Sequence, residues 1–293
     1  MLTVAEGEAD RLDVFLSRRI EGLSRRKAAG MIADGQVTVN DRPADKGRFL
    51  CLGDAVEILR APVLSHWSPK PDASLHIPVV FRDEYLAVLD KPSGISTVPL
   101  DPSEMGTVAN FAAAAFPQCA DIGRRAGDGG LLQRLDRETS GAVMAALTPE
   151  AYAALAEAQT LGGVEKLYLA LVRGVPPRKM HIDTRLSKFG PKGAVMRPSE
   201  QGAAAHTTVT RLSLHGDWTL VAAVIHHGVR HQIRAHLASE GFPLAGDPLY
   251  GDGGGPPGLT RLFLHAEKVT FIHPVSRRPQ TVVAPLPAPL DIF

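Results

Sequence analysis

Strand-like runs in this sequence lie beside one another instead of alternating with helices, and no other feature narrows the fold as far. "VVFRDEYLAVLDKPSG" (79–94) reads as two strands joined at "RDEY" and stopped by "KPSG". "HTTVTRLSLH" (206–215) and "WTLVAAVIH" (218–226) follow each other directly. "RLFLHAEKVTFIH" (261–273) and "QTVVAPL" (280–286) close the chain in the same manner. A doubly wound parallel sheet would show strand and helix in strict turn, so adjacent strands predict an α+β domain. "GAVMAAL" (141–147) reads as a buried strand. In "EKLYLALVRG" (165–174), Leu167, Leu169 and Leu171 take one face, and Lys166, Tyr168 and Ala170 the other. Helices are predicted at "TVANFAAAAF" (107–116), at "TPEAYAALAEAQ" (148–159) and at "RHQIRAHLASEG" (230–241). The second starts on Thr148 as N-cap with Pro149 at the first helical position, and the third ends on Gly241.

Residues 1–60 read as a separate small α/β unit, residues 61–77 as a proline-rich linker, and residues 78–293 as the larger domain. In the small unit, Leu12, Phe15, Leu16 and Ile20 are near helical spacing. Ser24 starts a second helix, which Gly35 ends. "QVTVN" is a short strand, "NDRP" a turn and "GDAVEIL" another strand. The second helix opens with Arg25, Arg26 and Lys27, the wrong sign for a helix N-terminus. Two readings stand: a solvated charged face, or an anion site where backbone N–H groups and cations meet a phosphate. Arg18 and Arg19 would extend such a patch.

Composition sets the outer limits. The chain has 293 residues, a net charge of +1 and two cysteines, Cys51 and Cys119. Two cysteines make neither a disulfide framework nor a metal quartet, which fits a reducing compartment such as a cytoplasm. The N-terminus has no basic leader and apolar core, and no run approaches the roughly 18 apolar residues of a membrane span. With so little net charge, a polyanion would have to be met by local basic patches.

"LLQRLDRETSG" (131–141) sets a single acid, Asp136, between Arg134 and Arg137 at what reads as the end of a strand. A glycosidase pair with Glu138 is disfavoured, because residues i and i+2 of a strand lie about 7 Å apart on its rise per residue. A metal site from His227 and His231 is disfavoured by Gly228 between them, and "YGDGGG" lacks the lysine of a phosphate-binding loop. Two readings of Asp136 remain. It caps the turn or pairs with an arginine, or it is a nucleophile held as the anion beside a cation. In an extended segment Arg134 shares its face, while Leu135 and Arg137 point away.

Two resemblances sharpen this. "RLDVFLSRRIEGLSRRKAAGMIADGQVTVNDRPADKGRFLCLGDAVEI" resembles the alpha-L RNA-binding domain first described in a small-subunit ribosomal protein. That favours phosphate contacts for Arg18, Arg25, Arg26 and Lys27. "LLQRLDRETSG" resembles the central motif of the RluA family of RNA pseudouridine synthases, usually His-Arg-Leu-Asp followed by Thr-Ser-Gly. Three further segments resemble that family in order: "VVFRDEYLAVLDKPSGISTVP", "KLYLALVRG", and "HQIRAHLASEGFPLAGDPLYG" with "LFLHAEKVTFIHP".

The resemblance implies a catalytic domain with a central mixed, largely antiparallel sheet flanked by helices and loops. It implies isomerisation of uridine in RNA, ribosomal over transfer RNA, after the base is flipped out of its stack. By it, Asp136 is the catalytic nucleophile, Tyr168 stacks on the uracil and assists removal of the ring proton, and Arg234 pairs with the aspartate. Arg134 fills the space left by the flipped base, and Ile233 lines the uracil pocket. Gln133 stands at the substrate site where the family has histidine. No metal or cofactor is implied, because nothing is oxidised or reduced, and a cytoplasmic monomer is expected. A second departure is "Gly-Val-Arg-His-Gln" for the usual "Gly-Arg-Thr-His-Gln", with Val229 and Arg230 in place of the common pair. A non-catalytic RNA-binding factor and a nucleoside hydrolase are the competing functions.

Overall fold

The computed structural model describes residues 1–20, 23, 25–45, 47–60 and 67–292, with Arg26 and Lys192 described in backbone only. Contacts divide the chain into one unit of residues 1–67 with 124–126, and a second holding the rest of the described chain. Ser24, expected to start the second helix, and residues 61–66 of the expected linker lie outside the described residues.

The first unit runs β1 (Leu2–Thr3), α1 (Leu12–Arg19), α2 (Arg25–Ala33), β2 (Val37–Val39), β3 (Arg42–Pro43) and β4 (Ala55–Ile58). Its strands make one antiparallel sheet in the order β1-β4-β2-β3. The helically spaced Leu12, Phe15 and Leu16 meet Ala28, Met31 and Ile32 of α2 over Val37, Val39 and Val56. The expected "NDRP" turn is shorter than read. Asn40 and Asp41 have φ of 52 and 62, the left-handed pair of a type I′ hairpin, and Arg42 and Pro43 already pair with β2.

The second unit holds β5 (Val79–Arg82), β6 (Leu86–Lys91), α3 (Val108–Ala115), β7 (Ser140–Ala146), α4 (Pro149–Thr160), β8 (Glu165–Arg173) and β9 (Lys179–Asp183). Then come β10 (Leu186–Phe189), β11 (Val195–Pro198), β12 (His206–His215), β13 (Trp218–Ile225), α5 (Gln232–Ser239), β14 (Leu264–Ile272) and β15 (Pro279–Val283). A sheet runs β5-β6-β7-β14-β8-β13-β12-β9, with β15 also on β14. The β7–β14 pairing is parallel and the others are antiparallel, as expected for a mixed, largely antiparallel sheet.

The sheet is buried on both faces, which explains the unbroken apolar run of β7. Val143 and Ala145 enter the core beneath α3 and α5, while Ala142 and Met144 enter the one beneath α4. Thr148 accepts from Ala151 N at 3.2 Å to start α4. Gly241, at φ +84, ends α5 with Phe242 N donating to Leu237 O at 2.9 Å. Strands β9, β10 and β11 fall where the sequence reading placed none. The last two form a separate two-stranded hairpin. Residues 68–77 lie along the second unit: Asn110 Nδ2 donates to Lys70 O at 2.8 Å, and Ile77 enters the larger core. Among the described residues no helix is long and apolar enough to cross a membrane.

Candidate active site

Leu131–Leu135 do not end a strand. They run as an extended segment back along β7, with Leu131 bridged to Ala145 and Leu132 N donating to Met144 O at 3.0 Å. The chain turns at 137–138, where Thr139 N donates to Asp136 O at 3.1 Å, and enters β7 at Ser140. Gly141 has φ +114, and a Cβ there would lie 2.3 Å from Ala266 O. The glycine of "TSG" is thus required where β7 closes on β14.

Buried polar side chains hold both flanks of Asp136. Thr97 Oγ1 accepts from Leu135 N at 3.1 Å and donates to Leu135 O at 2.8 Å. Lys91 Nζ donates to the carbonyls of Pro92, Arg137 and Thr139 at 2.8, 2.9 and 2.8 Å. Burial, with Arg261 adding to it, pulls the Lys91 pKa down to about 7. Three acceptors nevertheless match the three N–H bonds of the ammonium form. Sequence reading singled out neither residue; both act across long sequence separations.

Asp136 faces Arg234, as expected. Arg234 Nη1 donates to Asp136 Oδ2 at 3.2 Å, while Nε and Nη2 donate to the two oxygens of Asp247 at 2.7 and 2.8 Å. Burial opposes the Arg234 charge, but the two carboxylates outweigh it and raise its pKa above the ordinary value. Asp247 Oδ1 also accepts from the backbone N–H groups of Leu249 and Tyr250.

His231, at φ 52 just before α5, puts Nε2 3.8 Å from Asp136 Oδ1. Its Nδ1 lies 2.9 Å from Tyr250 Oη, which accepts from Met196 N at 2.7 Å. The Tyr250 proton is therefore free to go to Nδ1, which leaves Nε2 as the N–H that faces Asp136. Burial pulls the His231 pKa below its ordinary value against the pull of Asp136, so the ring is neutral at physiological pH. His231, Asp247 and Tyr250 were missed as site residues, although "HQIR" and "GDPLYG" carried them.

A cavity of about 410 Å³ opens over this pair, lined among others by Gln133, Arg134, Lys166, Tyr168, Ile233 and Leu264. That is the size range of small-ligand pockets. Tyr168 is buried on the β8 face opposite the leucine row; burial first, then Asp136, raises its hydroxyl pKa and favours the neutral phenol. Lys166 donates to His226 O at 3.1 Å, and burial pulls it down to about 8. Gln133 Nε2 reaches Ala142 O at 3.5 Å, while its Oε1 is buried with no hydrogen-bond partner. Arg134 is exposed at the cavity edge on the side of Asp136, and Arg137 also borders it, with Nε on Gly94 O at 2.8 Å. Beyond Asp136 a hollow of about 550 Å³ is bordered by Arg137, Arg230, Arg261 and Glu138.

His227 turns to Thr160 O at 3.1 Å, away from the bonds made by His231. Among the described residues no three His, Cys, Asp or Glu side chains gather for a metal ion. In the first unit, Arg18 pairs with Asp10 at 3.0 Å and Arg25 with Asp13 at 3.0 Å. The wrong-sign first turn of α2 is thus offset by an acid on α1. Lys27 is half-buried, and the Arg26 side chain lies outside the described residues.

Residues 85–239 match the family described as RNA pseudouridylate synthase, and residues 10–56 match the S4 domain. The chain is 33% identical to an "Uncharacterized RNA pseudouridine synthase" of Chloroflexus aurantiacus, over 97% of this chain and 89% of that one. It is 30% identical to "Ribosomal large subunit pseudouridine synthase D" of Nitrosomonas europaea, over 98% and 84%. With the protein of that name from Neisseria meningitidis serogroup A the values are 29%, 97% and 77%. The solved structure "Human RNA Pseudouridylate Synthase Domain Containing 1" superposes with a TM-score of 0.58 at 25% identity, covering 76% of this chain and 89% of that one. Its human counterpart "Domain Containing 4" shares the fold, with a TM-score of 0.57 at 22% identity over 72% and 89%.

Proposed function

The chain belongs to the RNA pseudouridylate synthase family, isomerases that act on RNA, and we propose that it converts uridine to pseudouridine in large-subunit ribosomal RNA with Asp136 as nucleophile. One observation carries the reading: Asp136 is the one carboxylate among the described residues lining the cavity, with Oδ2 on Arg234 and Oδ1 toward the neutral His231.

In the reaction the bond from ribose C1′ to N1 breaks, the uracil turns, and a bond from C1′ to C5 forms. The C5 proton is released and N1 is protonated, so atoms and electrons balance without a cofactor. Asp136 attacks the sugar and holds it while the base turns. The uridine has to leave its stack to reach the cavity, at a cost of a few kcal/mol unless it is already unpaired. Arg134, exposed at the cavity edge, fits the space so vacated. Tyr168 stacks on the uracil; its raised pKa favours this neutral role over removal of the ring proton. Ile233 supplies an apolar wall. The arginines around the neighbouring hollow suit the phosphates on either side of the target. The ribosomal names of two relatives favour ribosomal over transfer RNA.

Large-subunit ribosomal RNA and transfer RNA, each tritiated at uracil C5, test the proposal. The expected result is tritium release from ribosomal RNA by the wild type, none by Asp136→Asn, and RNA binding by both. Release by Asp136→Asn would remove the nucleophile assignment. Binding without release points to a non-catalytic factor, and free uracil to a hydrolase.

A further inference from the structure

The β10–β11 hairpin was absent from the sequence reading and is unused by the chemistry above. It has two unlike faces. Leu186 and Met196 are buried with Ala235 of α5, and Val229 packs on them. The register sets Ser187 opposite Arg197 and Phe189 opposite Val195, so Phe189 and Arg197 share the outer face as diagonal neighbours. Phe189 is 51% exposed, and the Arg197 guanidinium lies 4.0 Å from its ring centroid. A half-exposed phenylalanine backed by a cation leaves a flat π-face for a planar ligand.

Charge points the same way. Residues 184–199 contain Arg185, Lys188, Lys192 and Arg197 and no acid, in a chain whose net charge is +1. Of the acids flanking this segment, Asp183 pairs with His206 at 2.9 Å, and Glu200 is exposed.

The hairpin is also latched to the catalytic loop. Arg230 donates to Gly193 O at 2.8 Å and to Ala194 O at 3.2 Å. Met196 N donates to Tyr250 Oη, whose other partner is His231 beside Asp136. Val229 and Arg230, which replace the common pair of the family's Gly-Arg-Thr-His-Gln, are thus among the residues that seat the hairpin.

We infer that the outer face of the 186–198 hairpin binds single-stranded RNA flanking the target uridine, with one base stacked on Phe189 and a phosphate met by Arg197. This rests on the RNA substrate proposed above. An aromatic platform on a basic strand pair is the usual construction for single strands, and stacking tolerates any base. Specificity would then come from which uridines have an unpaired neighbour within reach of the hairpin.

The test is direct binding of the full chain to an oligouridylate of about twelve nucleotides, within the range of single-strand sites. Phe189→Leu keeps an apolar side chain but removes the π-face. We expect it to weaken binding about thirtyfold, near the middle of the range for one stacked base, with an unchanged thermal midpoint. Phe189→Trp should bind as the wild type and lose emission on adding RNA, beyond any change from Trp67 and Trp218. Arg197→Gln should lower the slope of log affinity against log salt by about one. Wild-type affinity in Phe189→Leu, or unquenched emission in Phe189→Trp, would overturn the inference. Neither readout requires turnover, so failure of tritium release and failure of this platform are told apart.

Discussion

An arginine is joined to an aspartate in each unit, and the two pairs are built differently. Arg25 meets Asp13 at 3.0 Å with side chains 58% and 9% exposed. Arg234 meets Asp247 at 2.7 Å with side chains 5% and 0% exposed. The first pair leaves its arginine in water, able to turn to another anion. The second takes the guanidinium out of water and fixes it through two parallel bonds. Because Asp247 holds Arg234, the remaining Nη1 points at Asp136 without needing Asp136 to keep it there. The nucleophile can then give up its charge to a sugar while the cation beside it stays in place. An exposed pair decides where charge is; a buried pair decides where an atom is.

Asp247→Ala is the hardest blow to that contrast. It leaves the Arg234 cation buried with only Asp136 as a carboxylate partner, and it strips the acceptor from Leu249 N and Tyr250 N. Removing one partner of a buried pair costs about 3–5 kcal/mol. Urea unfolding should show that loss in the second unit and none in the first. A cost under about 1 kcal/mol, the level of an exposed pair, would erase the distinction.

Lys166 sharpens the comparison, because its hydrogen bond goes to a carbonyl, His226 O, and not to a carboxylate. It shows what Arg234 escapes through Asp247. Burial pulls Lys166 down to about 8, below its unfolded value. Between those two pH values the unfolded chain holds more protons, so stability rises with pH there. The wild type should gain about 2–3 kcal/mol over Lys166→Met on going from pH 8 to pH 10.5, at 1.36 kcal/mol for each unit. RNA affinity should move oppositely, falling as the ammonium is lost. A stability difference flat in pH would mean that Lys166 keeps its proton throughout.

What the sequence disclosed follows from the range of the contacts involved. Strands β5 to β8 and β12 to β15 are legible because both faces of the sheet, or one, are apolar at period two. Strands β9, β10 and β11 are short and carry lysine, arginine and proline; β9 is paired with the distant β12, and the β10–β11 hairpin is seated on residues of α5 and its preceding loop, so no local apolar pattern marks them. In the site, Asp136, Tyr168, Ile233 and Arg234 were named by motif resemblance, and the fold brings all four to one cavity. The residues that hold them were not legible. Lys91 acts on carbonyls 46 and 48 positions away, and Thr97 on a residue 38 positions away. Asp247 lies inside a segment matched by resemblance, but nothing in the sequence set it apart, since its partner Arg234 is 13 positions away.

The smallest expected effect concerns the basic start of α2. Arg25, Arg26 and Lys27 read as a phosphate patch, yet Arg25 is hydrogen-bonded to Asp13 at 3.0 and 3.2 Å. Burial would raise the Asp13 pKa, but hydrogen bonds from Arg25 and Arg11 outweigh it and hold it below the ordinary range. That stabilisation is present above the unfolded pKa and is lost as pH falls through the lowered one. Because Arg25 is largely in water, Arg25→Gln should change the stability of the first unit by less than about 1 kcal/mol. If Arg25 also meets RNA, the same variant lowers the salt slope of RNA binding by about one. An exposed arginine can serve both partners in turn, since leaving Asp13 for a phosphate costs little. A stability loss above about 2 kcal/mol with an unchanged salt slope would make Arg25 a structural partner of Asp13 alone. The pair in the first unit would then resemble the one behind Asp136.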